Sequence, residues 1–174
     1  MKIRNGFVSN SSSSSFIVVF PRIPKDVNDL VDILFDKNQK EYSNPYHYGN
    51  DEVGWPVNTV AETIWLDIQN QKYNDFERAK DMISSGSIDE PGAPEYNYSN
   101  RDKYANEMKI FTDRKMKELF NIRKLKLKKI NKQMSDNDVV FYCFNYGDND
   151  GSYYLALEHG DIFHKLKHIR ISNH

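Results

Sequence analysis

With 174 residues, 39% hydrophobic and 28% charged, the chain is long enough to bury a substantial core and too apolar to be disordered by composition. Its formal net charge of −1 excludes a whole-molecule field that draws in nucleic acid or acidic membrane. The single cysteine, Cys143, excludes a disulfide within the chain, and no apolar run approaches the ~20 residues of a membrane helix.

In chain order, Gly6 to Phe20 reads GFVSNSSSSSFIVVF. The run Phe16–Phe20 is unbroken, β-branched and aromatic, as in a central strand buried on both faces. Serine competes for backbone hydrogen bonds and offers little to pack, so Ser11–Ser15 predicts a loop or a ragged strand start. Val27, Leu30, Val31 and Leu34 recur at helical spacing, predicting a helix from about Lys25 to Asp36, with Pro24 in its first turn. Lys37 to Pro56 is a long polar and aromatic connection of the kind that is functional or flexible. Thr59 and Glu62 have capping-box spacing for a second helix reaching about Gln71. Asn74 is placed to cap a third, with Phe76, Ala79 and Ile83 inward and Gly86 as its stop.

Residues 84–100 are rich in Pro, Gly, Ser and Asn and predict a flexible surface loop. Arg101 to Met134 reads as one long helix, or two broken near Asn121. Tyr104, Met108, Phe111, Met116, Leu119, Phe120 and Leu127 form its imperfect apolar stripe, and residues 114–132 are strongly basic. Val139–Tyr146 predicts a second buried strand, Ser152–Glu158 a third joined to it by a hairpin turn, and His168–Ser172 a fourth. Runs of strand separated by helices give an α+β fold. The expectation is a mostly antiparallel sheet of about four strands, one N-terminal and three C-terminal, with a helical insertion packed on it, in one domain spanning 1–174.

The tail holds four of the five histidines. If it is extended, His168, Arg170, Ser172 and His174 share one face, and Ile169 and Ile171 the other. A guanidinium fork with imidazoles suits a phosphate or carboxylate, and with His159 and Asp161 the set has donors for Zn²⁺. The alternative is a solvated face of an edge strand. Ser11, Ser12 and Ser13 belong to the same candidate anion site if the serine tract cradles a ligand; otherwise the tract is a polar linker. The spacing matches no metal motif. Cys143, among Phe141, Tyr142 and Phe144, reads as a core thiol.

The opening RNGFVSNSSSSSF (Arg4–Phe16) and the closing EHGDIF (Glu158–Phe163) with HIRISNH (His168–His174) resemble the two ends of a group of uncharacterised bacterial and bacteriophage proteins. The two motifs span about thirty residues. The resemblance implies a non-secreted protein of bacterial or phage source, carries over no catalytic residue, and hints that both chain ends build one site.

The resulting expectation is a small cytoplasmic binding or accessory protein without catalysis, with no assigned cofactor or metal. Its partner is then another protein or a small anionic ligand, with no membrane. One alternative is an enzyme acting on a phosphorylated or nucleotide-like substrate through the His159, Asp161, His168, Arg170 and His174 cluster. The other is nucleic-acid binding by the basic helix at 114–132.

Overall fold

The apolar run seen in the sequence is the middle of β1 (Ser13–Phe20), the central strand of a three-stranded antiparallel sheet. The computed structural model describes residues 13–42, 54–85, 93–95, 99–129, 140–147, 157–158 and 160–172, with the backbone alone at 122–129 and 172. β1 pairs on one side with β4 (Val140–Gly147) and on the other with β5 (Lys167–Ser172). Every residue from Ser14 to Phe20 is buried. An unbroken apolar run fits here because side chains on both faces of the strand meet core.

The helices cover both faces of the sheet. On one face Phe16, Val18, Phe20, Tyr142, Phe144 and Tyr146 pack with α1 (Val27–Leu34) and α2 (Val57–Gln69). On the other, Ile17, Val19, Phe141, Cys143, Ile169 and Ile171 pack with α3 (Phe76–Ser85) and α4 (Arg101–Lys129). Strand alternation sorts odd and even residues into these two cores. The α+β class and the antiparallel sheet are therefore as the sequence predicts. The described sheet holds one N-terminal and two C-terminal strands. Most of the expected third C-terminal strand lies outside the described residues, but Leu157 and Glu158, its last two, are helical rather than extended.

The helix starts show where local signals yield to tertiary ones. α1 begins at Val27, after Asp26, whose carboxylate accepts from the Asp29 amide at 2.8 Å. Pro24 therefore precedes the helix. The Asp29 carboxylate is taken by Arg22 and by the Lys25 amide, and the Arg22 hydrogen bond holds it below the usual carboxylate range.

α2 begins at Val57, so Thr59 sits inside its first turn and does not cap it; the Thr59 carbonyl accepts from Thr63 Oγ1. The reason is a small ribbon of β2 (Glu41–Tyr42) and β3 (Trp55–Pro56). It brings the Val57 amide onto the Lys40 carbonyl at 3.0 Å and starts the helix three residues early. The ribbon needs Gly54, where a Cβ would lie 2.9 Å from Glu41 Cβ. The rest of the 37–56 connection, 43–53, lies outside the described residues.

α3 is capped by Asp75, which accepts from the Arg78 amide, and not by Asn74. Asn74 adopts a left-handed φ of 56° and binds the outer edge of β4 instead. Its amide donates to the Phe141 carbonyl at 2.9 Å, and its Oδ1 accepts from the Phe141 amide at 3.1 Å. Gln71 Oε1 accepts from the Cys143 amide at 3.1 Å. The connection between α2 and α3 thus closes part of an edge that would otherwise offer unpaired backbone groups.

α3 continues through Ser85, past the predicted start of a loop at 84; residues 86–92 and 96–98 lie outside the described residues. α4 is one continuous helix with no break at Asn121, and Asn100 caps it by accepting from the Lys103 amide. Met108, Phe111 and Leu119 are buried as expected, but Phe120 is 53% exposed. Thr112 and Lys115 are buried in its place. Cys143 lies in the core, where burial pushes its thiol up to about 12, so it is an inert packing residue.

Candidate functional site

The site is built by the pairing of the first and last described strands. Phe16 lies opposite Arg170, Val18 opposite His168, and Ser14 opposite Ser172. Even-numbered residues of both strands therefore share the face covered by α1 and α2. The serines at 13–15 are not a loop. They are the start of β1, paired with Gly147, Tyr146 and Asn145, and Ser14 and Ser15 are buried. Ser15 Oγ faces the partner strand and donates to Asn145 Oδ1 at 3.1 Å.

Arg170 is the centre of what the two ends assemble. Its Nη2 donates to the Glu158 carbonyl at 3.1 Å and lies 3.4 Å from Ser14 Oγ. Its guanidinium carbon stands 5.7 Å from the centre of the Phe16 ring. That contact is attractive, because the ring face is electron-rich. Both hydrogen bonds use the same terminal nitrogen. The other N–H groups of the fork have no partner among the described residues, and the residue remains exposed.

Beneath it lies an aromatic floor. Phe16 meets Phe163 at 5.5 Å and Tyr146 at 6.1 Å between ring centres. The floor fixes the guanidinium plane while the sheet fixes its position.

His168 and Arg170 share a face, as the alternation predicts, but that face is not a solvated exterior. His168 is half-buried, 6.4 Å from the Phe16 ring and 6.5 Å from Phe163. Its Nδ1 lies 3.0 Å from the Leu166 carbonyl. A carbonyl only accepts, so Nδ1 carries the proton.

Asp161 is elsewhere. It is exposed on the turn before β5, and a hydrogen bond from its backbone reaches the Tyr42 hydroxyl. Burial, then the nearby Asp161 charge, pushes Tyr42 up to about 12. The turn is tied to the segment just after α1 by Lys165 Nζ on Asp36 Oδ1 at 2.6 Å.

Ser13 pairs with Gly147 of β4, and no side-chain bond joins it to Arg170. Ser11, Ser12, His159 and His174 lie outside the described residues. Among the described residues no three His, Cys, Asp or Glu side chains are grouped so as to hold a metal ion.

Two contributors were not singled out from the sequence. Ser14 reaches Arg170 only because the register places Phe16 opposite that arginine. Glu158, fully buried, offers its backbone carbonyl. Strand parity alone would have put Ser14 with Phe16 and not with Ser13, but nothing local fixes the register between strands so far apart in sequence.

Concave surface is found nearby and elsewhere. His168 helps line a cavity of about 110 Å³, whose lining includes neither Ser14 nor Arg170. A groove of about 690 Å³ between α3 and α4 is lined by Phe76, Met116 and Phe120 with Asp113, Lys117 and Asn121. The basic side chains beyond it, at 122–129, lie outside the described residues. No described helix is long and apolar enough to cross a membrane. No family model, no curated protein and no solved structure matches the chain.

Proposed function

We propose that this chain is a non-catalytic binding or accessory protein that recognises a small anionic ligand, bearing phosphate or carboxylate, at Arg170. The observation that carries this reading is the held but exposed guanidinium. Its Nη2 is anchored by the Glu158 carbonyl and Ser14, its face rests on Phe16, and the remainder of its fork has no partner among the described residues. A pre-oriented fork binds an oxyanion without first losing rotamer freedom, and bidentate charge-assisted hydrogen bonds are among the stronger ones available. Arginine and serine are not bases at neutral pH. A site made of donors and one fixed charge is suited to holding a ligand rather than transforming it.

A cytoplasmic setting is supported by the lone, buried cysteine, which belongs with a reducing compartment more than with a disulfide scaffold. The resemblance of the chain ends to bacterial and phage proteins supports an accessory role in such a host.

The test is a thermal-shift panel of nucleoside monophosphates, sugar phosphates and dicarboxylates on the full chain. At least one class raises the melting temperature. Arg170→Gln weakens that ligand by roughly tenfold to a hundredfold, the value of ~1.5–3 kcal/mol for hydrogen bonds to a charged group. Lys80→Gln, exposed on α3, leaves it unchanged. A panel without effect, or an Arg170→Gln protein that binds as well as the parent, refutes the reading.

A further inference from the structure

α4 carries large apolar side chains that neither core absorbs. Ile110 is 70% exposed and Phe120 is 53% exposed. Scattered singly, such residues mean little, so their placement decides. The buried residues Met108, Phe111, Lys115 and Leu119 define the inward side of the helix. At about 100° per residue, Ile110, Asp113, Lys117 and Phe120 all fall on the opposite side, within a stripe roughly 80° wide. All four are exposed. Asp113 and Lys117 stand one helical turn apart, yet neither has an ion-pair partner among the described residues.

The order of the stripe is apolar, acidic, basic, apolar, and it is symmetric about Lys115. Ile110 precedes that centre by as many residues as Phe120 follows it, and Asp113 precedes it by as many as Lys117 follows. A second copy of the helix, laid antiparallel on the stripe with the same centre, therefore brings Ile110 level with Phe120 of the other copy. It also brings Asp113 level with Lys117. Each contact occurs twice, as an isologous two-fold interface requires. A parallel pair does the reverse. It sets Asp113 beside Asp113 and Lys117 beside Lys117, and like-charge juxtaposition is costly. Concave surface adjoins both ends of the stripe. Asp113, Lys117 and Phe120 line the groove of about 690 Å³ beside α3, and Ile110 lines another of about 330 Å³ with Pro94 and Phe111.

We infer that the outer stripe of α4 is an interface for a second copy of this chain, paired antiparallel about Lys115. Ile110 and Phe120 supply the apolar contact, and Asp113 and Lys117 set the register. One helix from each copy makes an interface at the small end of the range, so the dimer is weak and concentration-dependent. The inference rests on nothing at Arg170, which belongs to the sheet face covered by α1 and α2, whereas α4 packs on the other.

Sedimentation equilibrium of the full chain over a wide concentration range is the test. The parent passes from monomer to dimer with a dissociation constant in the micromolar range. Phe120→Glu weakens the dimer by more than about tenfold, because the charge replaces the ring in both symmetry-related contacts. Asp113→Lys alone and Lys117→Asp alone each weaken it by roughly tenfold or more, because each sets like charges together across the antiparallel pair. An equal mixture of those two variants associates to within about threefold of the parent, since every acid of one then meets a base of the other. That recovery separates a contact between the charges from damage to the fold. The substituted positions are exposed, and circular dichroism of each variant matches the parent.

The inference is overturned by a parent that stays monomeric throughout, by a dimer that Phe120→Glu leaves intact, or by a mixture that associates no better than its components. A dimer that Asp113→Lys and Lys117→Asp both leave unchanged also overturns it, because a parallel pair or another surface then makes the contact.

Discussion

Phe20→Ala destabilises the protein by about 3–5 kcal/mol, the usual range for emptying a buried phenylalanine site. At this chain length that lowers the melting temperature by on the order of 10 °C. Phe20 is fully buried at the end of β1, edge-on to Tyr142 at 5.4 Å and 6.3 Å from Phe144. These rings form the wall between the sheet and the helices α1 and α2, and a rigid β-ladder has little freedom to collapse around the void. Phe120→Ala is the matched control. The same truncation at a 53% exposed site changes stability by less than about 1 kcal/mol. Chemical denaturation of the pair checks both, and equal losses at the two positions would contradict this placement of the core.

The second large effect is at Asn74, which no hydrophobic argument would select. Asn74→Ala loses about 2–4 kcal/mol. One part is the Phe141 amide left without its side-chain acceptor at a buried position, ~1–3 kcal/mol. The other is a Cβ forced into left-handed backbone without asparagine's tolerance for it, ~1 kcal/mol. Asn74→Gly removes the acceptor but relieves the backbone, so it is more stable than the alanine variant by about 1 kcal/mol. The expected order in urea denaturation is Asn, Gly, Ala. An alanine variant at least as stable as the glycine variant would show that the φ of 56° is not what the residue supplies. Opening this clamp also bares the edge of β4, so the alanine variant aggregates more readily when partly unfolded.

These two residues mark what the sequence makes legible and what it does not. Phe16–Phe20 announces a buried central strand because burial on both faces leaves no polar position in the run. Ile169 and Ile171 announce an inward face by alternation, and the helical stripes of α1, α2 and α3 follow from spacing. Such patterns are local, and they survive folding.

Asn74 and Thr59 are different. Each is read wrongly by a local rule, as cap and capping box, because a distant element takes over its role. β4 claims Asn74, and the β2–β3 ribbon starts α2 before Thr59.

The candidate site divides in the same way. That Arg170 and the serine tract meet follows from placing both end strands in one sheet. That Ser14 and not Ser13 faces the arginine depends on a register between residues 156 positions apart. That Asp161 turns to Tyr42 instead depends on a helix and a ribbon the alternation argument does not contain.

Chemical-shift mapping of the full chain during titration with the best-stabilising anionic ligand tests the central claim most directly. The account predicts saturable shifts of the Arg170 guanidinium resonances and of the Ser14, Glu158 and Ile171 amides, all with one dissociation constant. Shifts confined to other parts of the molecule, with Arg170 and Ser14 unmoved at saturation, would contradict it.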